Sequence, residues 1–152
     1  MPGIEEELRS RFISEQQKAM LNLLFTANWL RAREVSRFKP YGISPQQYNI
    51  LRILRGAKGR MRAQSVKERM IDRAPNATRL ADKLIAKGLV RRERSAEDRR
   101  VIHIRITLKG LALLQRIERE SGAELDRLLG RISEAEARAL NRRVEFHVLP
   151  RN

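Results

Sequence analysis

The sequence predicts a mainly helical protein with one small antiparallel β-hairpin, an α+β fold, on three observations. Over most of the chain, apolar residues recur at steps of three and four, which is the period of helices with one buried face. Within residues 87–107 the period changes to two, because three isoleucines alternate with His103 and Arg105. Gly88 precedes this stretch in the position of a helix stop. With 152 residues, the chain is expected to form a single domain over 1–152.

The N-terminal part is predicted to be one long helix over residues 4–37. Its apolar residues form a broad stripe that includes Trp29, and so broad a stripe needs more than one neighbour to cover it. Residues 39–42, Lys-Pro-Tyr-Gly, break the helix. Ser44 then begins another helix as its N-cap, with proline at the first turn and Gln47 three residues after the cap.

Three further elements complete the centre of the chain before the hairpin. The helix that begins after Ser44 is expected to be ended by Gly56 and Gly59. A short helix follows over about 63–70, and another runs over about 75–87. Residues 44–106 therefore read helix, helix, helix, strand, strand, which is the order of a winged helix-turn-helix lobe.

The C-terminal part is predicted to be two helices over 107–148. Thr107 caps the first helix, and the segment Ser-Glu-Ala-Glu that begins at Ser133 is a capping box for the second. Together with residues 4–37, these helices carry more apolar surface than so small a centre can bury. A second copy of the chain is the expected cover, so 4–37 and 107–148 are interpreted as dimerisation helices.

Positive charge is concentrated in the centre of the chain. The whole chain has a net charge of +15. Residues 52–105 hold 17 Lys/Arg against 6 Asp/Glu, a net charge of +11, and the other 98 residues carry +4. Because neutralising phosphates with Lys and Arg releases counterions, this distribution favours binding to a nucleic acid.

The helix over 75–87 has the design of a helix that lies in the major groove of duplex DNA. Its inner face is small and aliphatic, and its outer face is polar and basic. Arginine can bond guanine edges in a bidentate manner, and asparagine can bond adenine edges. The predicted contacts on this recognition helix are Arg73, Asn76, Thr78, Arg79 and Lys83.

The hairpin is the second predicted DNA contact, in the manner of a wing that enters the minor groove. Its predicted contacts are Arg92, Arg94, Arg99 and Arg100. Asp98 is one carboxylate among these arginines, and we interpret it as an organiser that orients Arg100 or the loop.

Composition excludes most other kinds of site. The chain has no cysteine, which removes disulfides, thiol catalysis and cysteine metal sites. The only histidines, His103 and His147, have no nucleophile or metal-ligand pattern around them, and no glycine-rich phosphate loop is present. No enzyme activity, metal or cofactor is expected. The absence of a signal peptide and of a long apolar run predicts a cytoplasmic protein without a membrane contact.

At this point the residues show a family resemblance. The chain resembles the MarR family of bacterial winged-helix transcription regulators from about Ile43 to Gly110. The resemblance rests on ISPQQYNILRILRG, on ATRLADKLIAKGLVRRE, and on EDRRVIHIRIT, which contains the family's Asp-x-Arg wing signature at Asp98 and Arg100 before Thr107. It implies a homodimer on a pseudo-palindromic operator, usually a repressor, and often a small-molecule effector that binds between the dimer helices and the DNA-binding lobe.

Two other functions remain open from the residues alone. The charge would also suit a nonspecific architectural DNA-binding protein. A basic RNA-binding module is less favoured, because aromatic residues make up only 5% of the chain and none lies in the hairpin.

Overall fold

A computed structural model describes residues 4–9, 11–57, 59–72, 77–94 and 101–148. The elements are α1 (Ile4–Glu7), α2 (Glu15–Phe38), a 3-10 turn (Lys39–Tyr41), α3 (Pro45–Gly56), β1 (Met61–Arg62), α4 (Ala63–Arg69), α5 (Ala77–Ala86), β2 (Val90–Arg94), β3 (Ile102–Ile106), α6 (Leu108–Leu129) and α7 (Glu134–Val148). Most of the described residues are helical, and the strands form one antiparallel sheet, so the predicted fold class is confirmed. Two compact units divide at Leu114 and Gln115.

Helix α3 is the centre of the first unit. The predicted capping box begins it: the Gln47 amide donates to Ser44 Oγ (3.2 Å), and the Ser44 amide donates to Gln47 Oε1 (3.0 Å). Helix α3 packs against α2, α4, α5 and β3. The fully buried side chains of this unit include Phe38, Ile50, Leu51, Leu54, Leu84, Val90, Ile104 and Leu114. Their burial holds α5 and the sheet on α3.

The prediction of one unbroken helix over 4–37 is wrong at its N-terminal end. Helix α1 ends at Glu7 and α2 begins at Glu15, and Arg9 has a left-handed φ of 48°. Ser14 caps α2 instead, because its hydroxyl accepts from the Gln17 amide (3.2 Å). Gln17 in turn accepts from the Ile13 amide (2.8 Å). The sequence Ser-Glu-Gln-Gln is a capping signature of the kind that correctly predicts the start of α3.

The sheet contains a third strand that the sequence analysis missed. The strand order is β1-β3-β2, with both pairs antiparallel. In β1, Met61 lies opposite Ile104, and its side chain is buried. A strand of two residues has no periodicity of its own, so only its pairing with β3 reveals it.

The predicted buried face of β3 is only partly buried. Ile104 is 2% exposed, whereas Ile102 is 43% exposed. Ile102 lies opposite Arg94, at the end of the hairpin that is farther from Gly88 and Thr107. The apolar alternation therefore continues beyond the part of the strand that packs on the core.

Apolar residues on α2 remain exposed in the first unit. Met20 and Leu24 are each 54% exposed and Leu23 is 61% exposed. Trp29 and Leu30 on the same helix are more than one-third exposed.

None of the helices in the described ranges combines the length and the apolar character that a membrane span requires.

The second unit comprises the rest of α6 and helix α7. Helix α7 begins as predicted at a capping box, because the Glu136 amide donates to Ser133 Oγ (3.3 Å) and the Ser133 amide donates to Glu136 Oε2 (2.9 Å). The Ser133 hydroxyl also donates to Glu136 Oε2 (2.7 Å), and this bond together with that from the Ser133 amide holds the pKa of Glu136 below its usual value. Ile117 and Ser121 are buried, whereas Leu129, Ile132 and Leu140 are exposed.

Candidate nucleic-acid interface

Helix α5 is anchored by one face and exposed on the other. Ala77, Ala81 and Leu84 are buried, and α5 packs against α3 and β2. The predicted contacts that fall within the described helix, Thr78, Arg79 and Lys83, are all exposed. The small alanines let α5 pack closely against its neighbours. The polar side chains on the opposite face point away from this contact and are accessible to a binding partner.

The predicted start of the recognition helix falls outside the described residues. The sequence predicts a start near Pro75, whereas the described helix begins at Ala77. Arg73 and Asn76 belong to residues 73–76, outside the described ranges, and they stay predictions.

The end of α5 sets the position of the hairpin. Gly88 has φ of +69°, and its amide donates to the Ile85 carbonyl (2.8 Å) while the Leu89 amide donates to the Leu84 carbonyl (3.0 Å). This pair of hydrogen bonds is a Schellman motif, which confirms the predicted helix stop. Because β2 begins at Val90, only three residues separate α5 from the first strand of the hairpin.

The pairing register assigns the arginines of the hairpin to two faces. Arg92 lies opposite Ile104 and Arg94 opposite Ile102, so both arginines share the face of the isoleucines. Arg91 and Arg105 lie opposite each other on the other face. Arg92 and Arg94 are exposed. The remaining predicted wing residues, Asp98, Arg99 and Arg100, lie outside the described residues and stay predictions.

An ion pair that the sequence analysis missed joins the helix to the hairpin. The Arg92 guanidinium binds the Asp82 carboxylate of α5. Both side chains are about half exposed, so the pair contributes little to stability. The ion pair does hold Arg92, a predicted DNA contact, against α5, and Asp82 places a carboxylate on the exposed face of that helix. The signal was present in the sequence, since Asp82 interrupts the basic face between Arg79 and Lys83.

Two cavities of the first unit are lined by described residues. One, of about 340 Å3, is bordered by α2, α3 and the residues that follow α4, including Arg31, Tyr48, Arg52 and Asp72. The other, of about 570 Å3, lies at the base of the hairpin.

Comparisons with known proteins agree on one family. The model of the MarR family matches residues 43–102. The HTH-type transcriptional regulator MhqR of Bacillus subtilis (strain 168) is 33% identical over 96 residues, which span 63% of this chain and 66% of that protein. A MarR transcription factor from Planctomyces limnophilus is 37% identical, with 90% of this chain and 99% of that chain covered and a TM-score of 0.68.

More distant structures share the fold. A mutant MarR from E. coli, complexed with operator DNA, covers 92% of this chain and 100% of its own, with 22% identity and a TM-score of 0.76. The regulator AbsC of Streptomyces coelicolor, also of the MarR family, has a TM-score of 0.74 at 20% identity, with 90% of this chain and 94% of its own covered. The winged-helix architecture expected from the sequence is confirmed by these structures.

Proposed function

Because the chain belongs to the MarR family of transcription regulators, we propose that it binds a specific pseudo-palindromic operator in duplex DNA as a homodimeric repressor. Membership of this family confirms that the chain is a regulator and not an enzyme. In the proposal, α5 lies in the major groove and the hairpin enters the minor groove. Such a protein acts in the cytoplasm, where it meets the chromosome.

One observation carries the proposal. Helix α5 is held by its alanine and leucine face, presents Arg79 and Lys83 outward, and is followed after three residues by a hairpin with further exposed arginines. A rigid helix with protruding donors suits base readout, and a basic hairpin beside it suits backbone and minor-groove contact. We assign Arg73, Asn76 and Thr78 to the same helix contact, and Arg94, Arg99 and Arg100 to the wing. Asp98 acts in this proposal as the organiser of the wing arginines.

The ion pair with Asp82 modifies the role of one predicted contact. Arg92 can reach a phosphate only by sharing its guanidinium with Asp82 or by leaving it. Since an exposed ion pair is weak, DNA can compete with the carboxylate. We therefore propose that Arg92 exchanges partners when DNA binds.

Selection of bound sequences from a random pool of duplexes tests the function. We expect one enriched motif with two inverted half-sites about one helical turn apart, because a two-fold symmetric dimer places two copies of α5 in successive major grooves. Retention of all duplexes without enrichment would instead identify an architectural DNA-binding protein. Preferential capture of structured RNA in a competition with the duplex pool would identify an RNA-binding module.

The homodimer is a separate expectation with its own test. The exposed apolar residues of α2 and the exposed Leu129, Ile132 and Leu140 provide surface for an isologous interface. One chain has a mass of 17.7 kDa, and light scattering at micromolar concentration should give twice this mass. A mass of one chain over the whole concentration range would contradict the dimer.

The proposal includes a small-molecule effector. The cavity of about 340 Å3 lies between α2 and the α3–α4 part of the lobe, which is the region where the family resemblance implies that ligands bind. Its lining combines apolar surface with two arginines, Arg31 and Arg52, and two carboxylates, Glu34 and Asp72, so it suits an organic molecule with polar groups and no large net charge.

A further inference from the structure

The larger cavity lies at the base of the hairpin, where β2 begins, β3 ends and α6 begins. Its volume is about 570 Å3, which is in the range of small-molecule sites. Four cationic side chains from four different elements line it: Arg55 of α3, Arg91 of β2, Arg105 of β3 and Lys109 of α6. Within the described part of the chain, no carboxylate belongs to this lining. The family-level function assigned above does not use this cavity.

Two of these cations are directly opposed. Arg91 and Arg105 are register partners in the β2–β3 pair, and like charges in that position destabilise a sheet. Arg91 is offset by an ion pair with Glu93 (2.9 Å). Lys109 keeps its positive charge, because its ammonium donates to a neutral group, the Lys87 carbonyl (2.9 Å). None of the ion pairs found among the described residues includes Arg105. A bound anion would relieve the repulsion.

The start of α6 adds further positive potential. Thr107 caps the helix by accepting from the Gly110 amide (3.1 Å), and its hydroxyl donates to the Gly88 carbonyl (2.7 Å). The first-turn amides ahead of Gly110 have no acceptor within the helix, and the helix dipole is positive at this end. Thr107, Leu108 and Lys109 all line the cavity, so the helix start and the cations act on the same space.

We propose that this cavity binds a small phosphate-bearing molecule. The positive charges of Arg105 and Lys109 match a group that carries two negative charges, and guanidinium groups match the oxygens of a phosphate in a bidentate manner. Leu108 and Leu111 add apolar surface for the rest of such a molecule. A concave and partly apolar site suits a free ligand better than the phosphates of a DNA backbone, which a protein meets with protruding side chains.

Calorimetric titration of the full chain with pyrophosphate, without DNA and in chloride buffer, tests the site. We expect saturable binding of one pyrophosphate per chain. Arg105→Gln should weaken it about tenfold or more, since a charge-assisted hydrogen bond is lost. The control is Arg119→Gln, which removes the same charge from an exposed position of α6 outside the cavity lining. This variant should bind pyrophosphate like the wild type.

Other results would overturn the inference. If pyrophosphate does not bind saturably, or if both substitutions weaken its binding equally, the cavity is not a specific site and only general charge attraction remains.

A second variant checks the site from another element. Lys109→Gln on α6 should weaken pyrophosphate binding as Arg105→Gln does, and the melting curves of all variants should match that of the wild type. If pyrophosphate displaces duplex DNA and Arg105→Gln weakens both ligands equally, the cavity belongs to the DNA interface. Pyrophosphate binding without any operator binding would keep this inference and remove the proposed function.

Discussion

Replacing Arg79 by alanine is expected to weaken operator binding by about 1–3 kcal/mol, which corresponds to roughly fivefold to 150-fold in affinity. Arg79 is exposed on α5, opposite the face that Ala77, Ala81 and Leu84 bury. Loss of a base contact affects the correct sequence far more than a random one. The affinity for random duplex should therefore fall only by the contribution of one positive charge.

Fluorescence anisotropy with the selected operator and a scrambled duplex, at two salt concentrations, measures this difference. The control is Arg119→Ala, which removes an arginine whose side chain is 80% exposed on α6. It should leave the ratio of the two affinities unchanged. If Arg79→Ala lowers both affinities by the same factor and reduces the salt dependence, Arg79 contacts a phosphate and does not read bases.

Replacing Gly110 by alanine is expected to lower the free energy of unfolding by about 1–3 kcal/mol. A Cβ at this position would lie 2.4 Å from the Leu89 carbonyl oxygen and 2.7 Å from Cγ1 of Ile106. The carbonyl is backbone and already accepts from the Thr107 amide (3.1 Å), so it cannot move without disturbing the base of the hairpin. Relief of the overlap requires α6 to shift away from β2 and β3.

Urea denaturation at one fixed protein concentration measures the effect. Gly56→Ala is the matched control, because Gly56 also lies in a helix but its added Cβ would meet nothing within 4 Å. This control should be neutral or stabilising by up to about 1 kcal/mol, since alanine restricts the unfolded chain. Equal midpoints for Gly110→Ala and the wild type would show that the start of α6 is less closely packed than the structure indicates.

Local signals in the sequence were sufficient for most element boundaries. Ser44 and Gln47 predicted the start of α3, Gly88 predicted the end of α5, and the alternation around Ile104 predicted β3. Each of these signals acts through hydrogen bonds or periodicity within about six residues. The break before Ser14 was missed although its signal is equally local, because the apolar stripe on either side concealed it.

The sequence by itself determined the helical fold with its hairpin, the family, and the basic character of the centre of the chain. Only the tertiary structure decided which face each hairpin arginine occupies, that Asp82 holds Arg92, and that Arg55, Arg105 and Lys109 surround one cavity. It also decided the pairing of β1 with β3, which joins residues more than 40 positions apart. The physical reason is that caps and periodicity depend on neighbours along the chain, whereas ion pairs, cavities and short strands depend on which distant residues the packed core brings together.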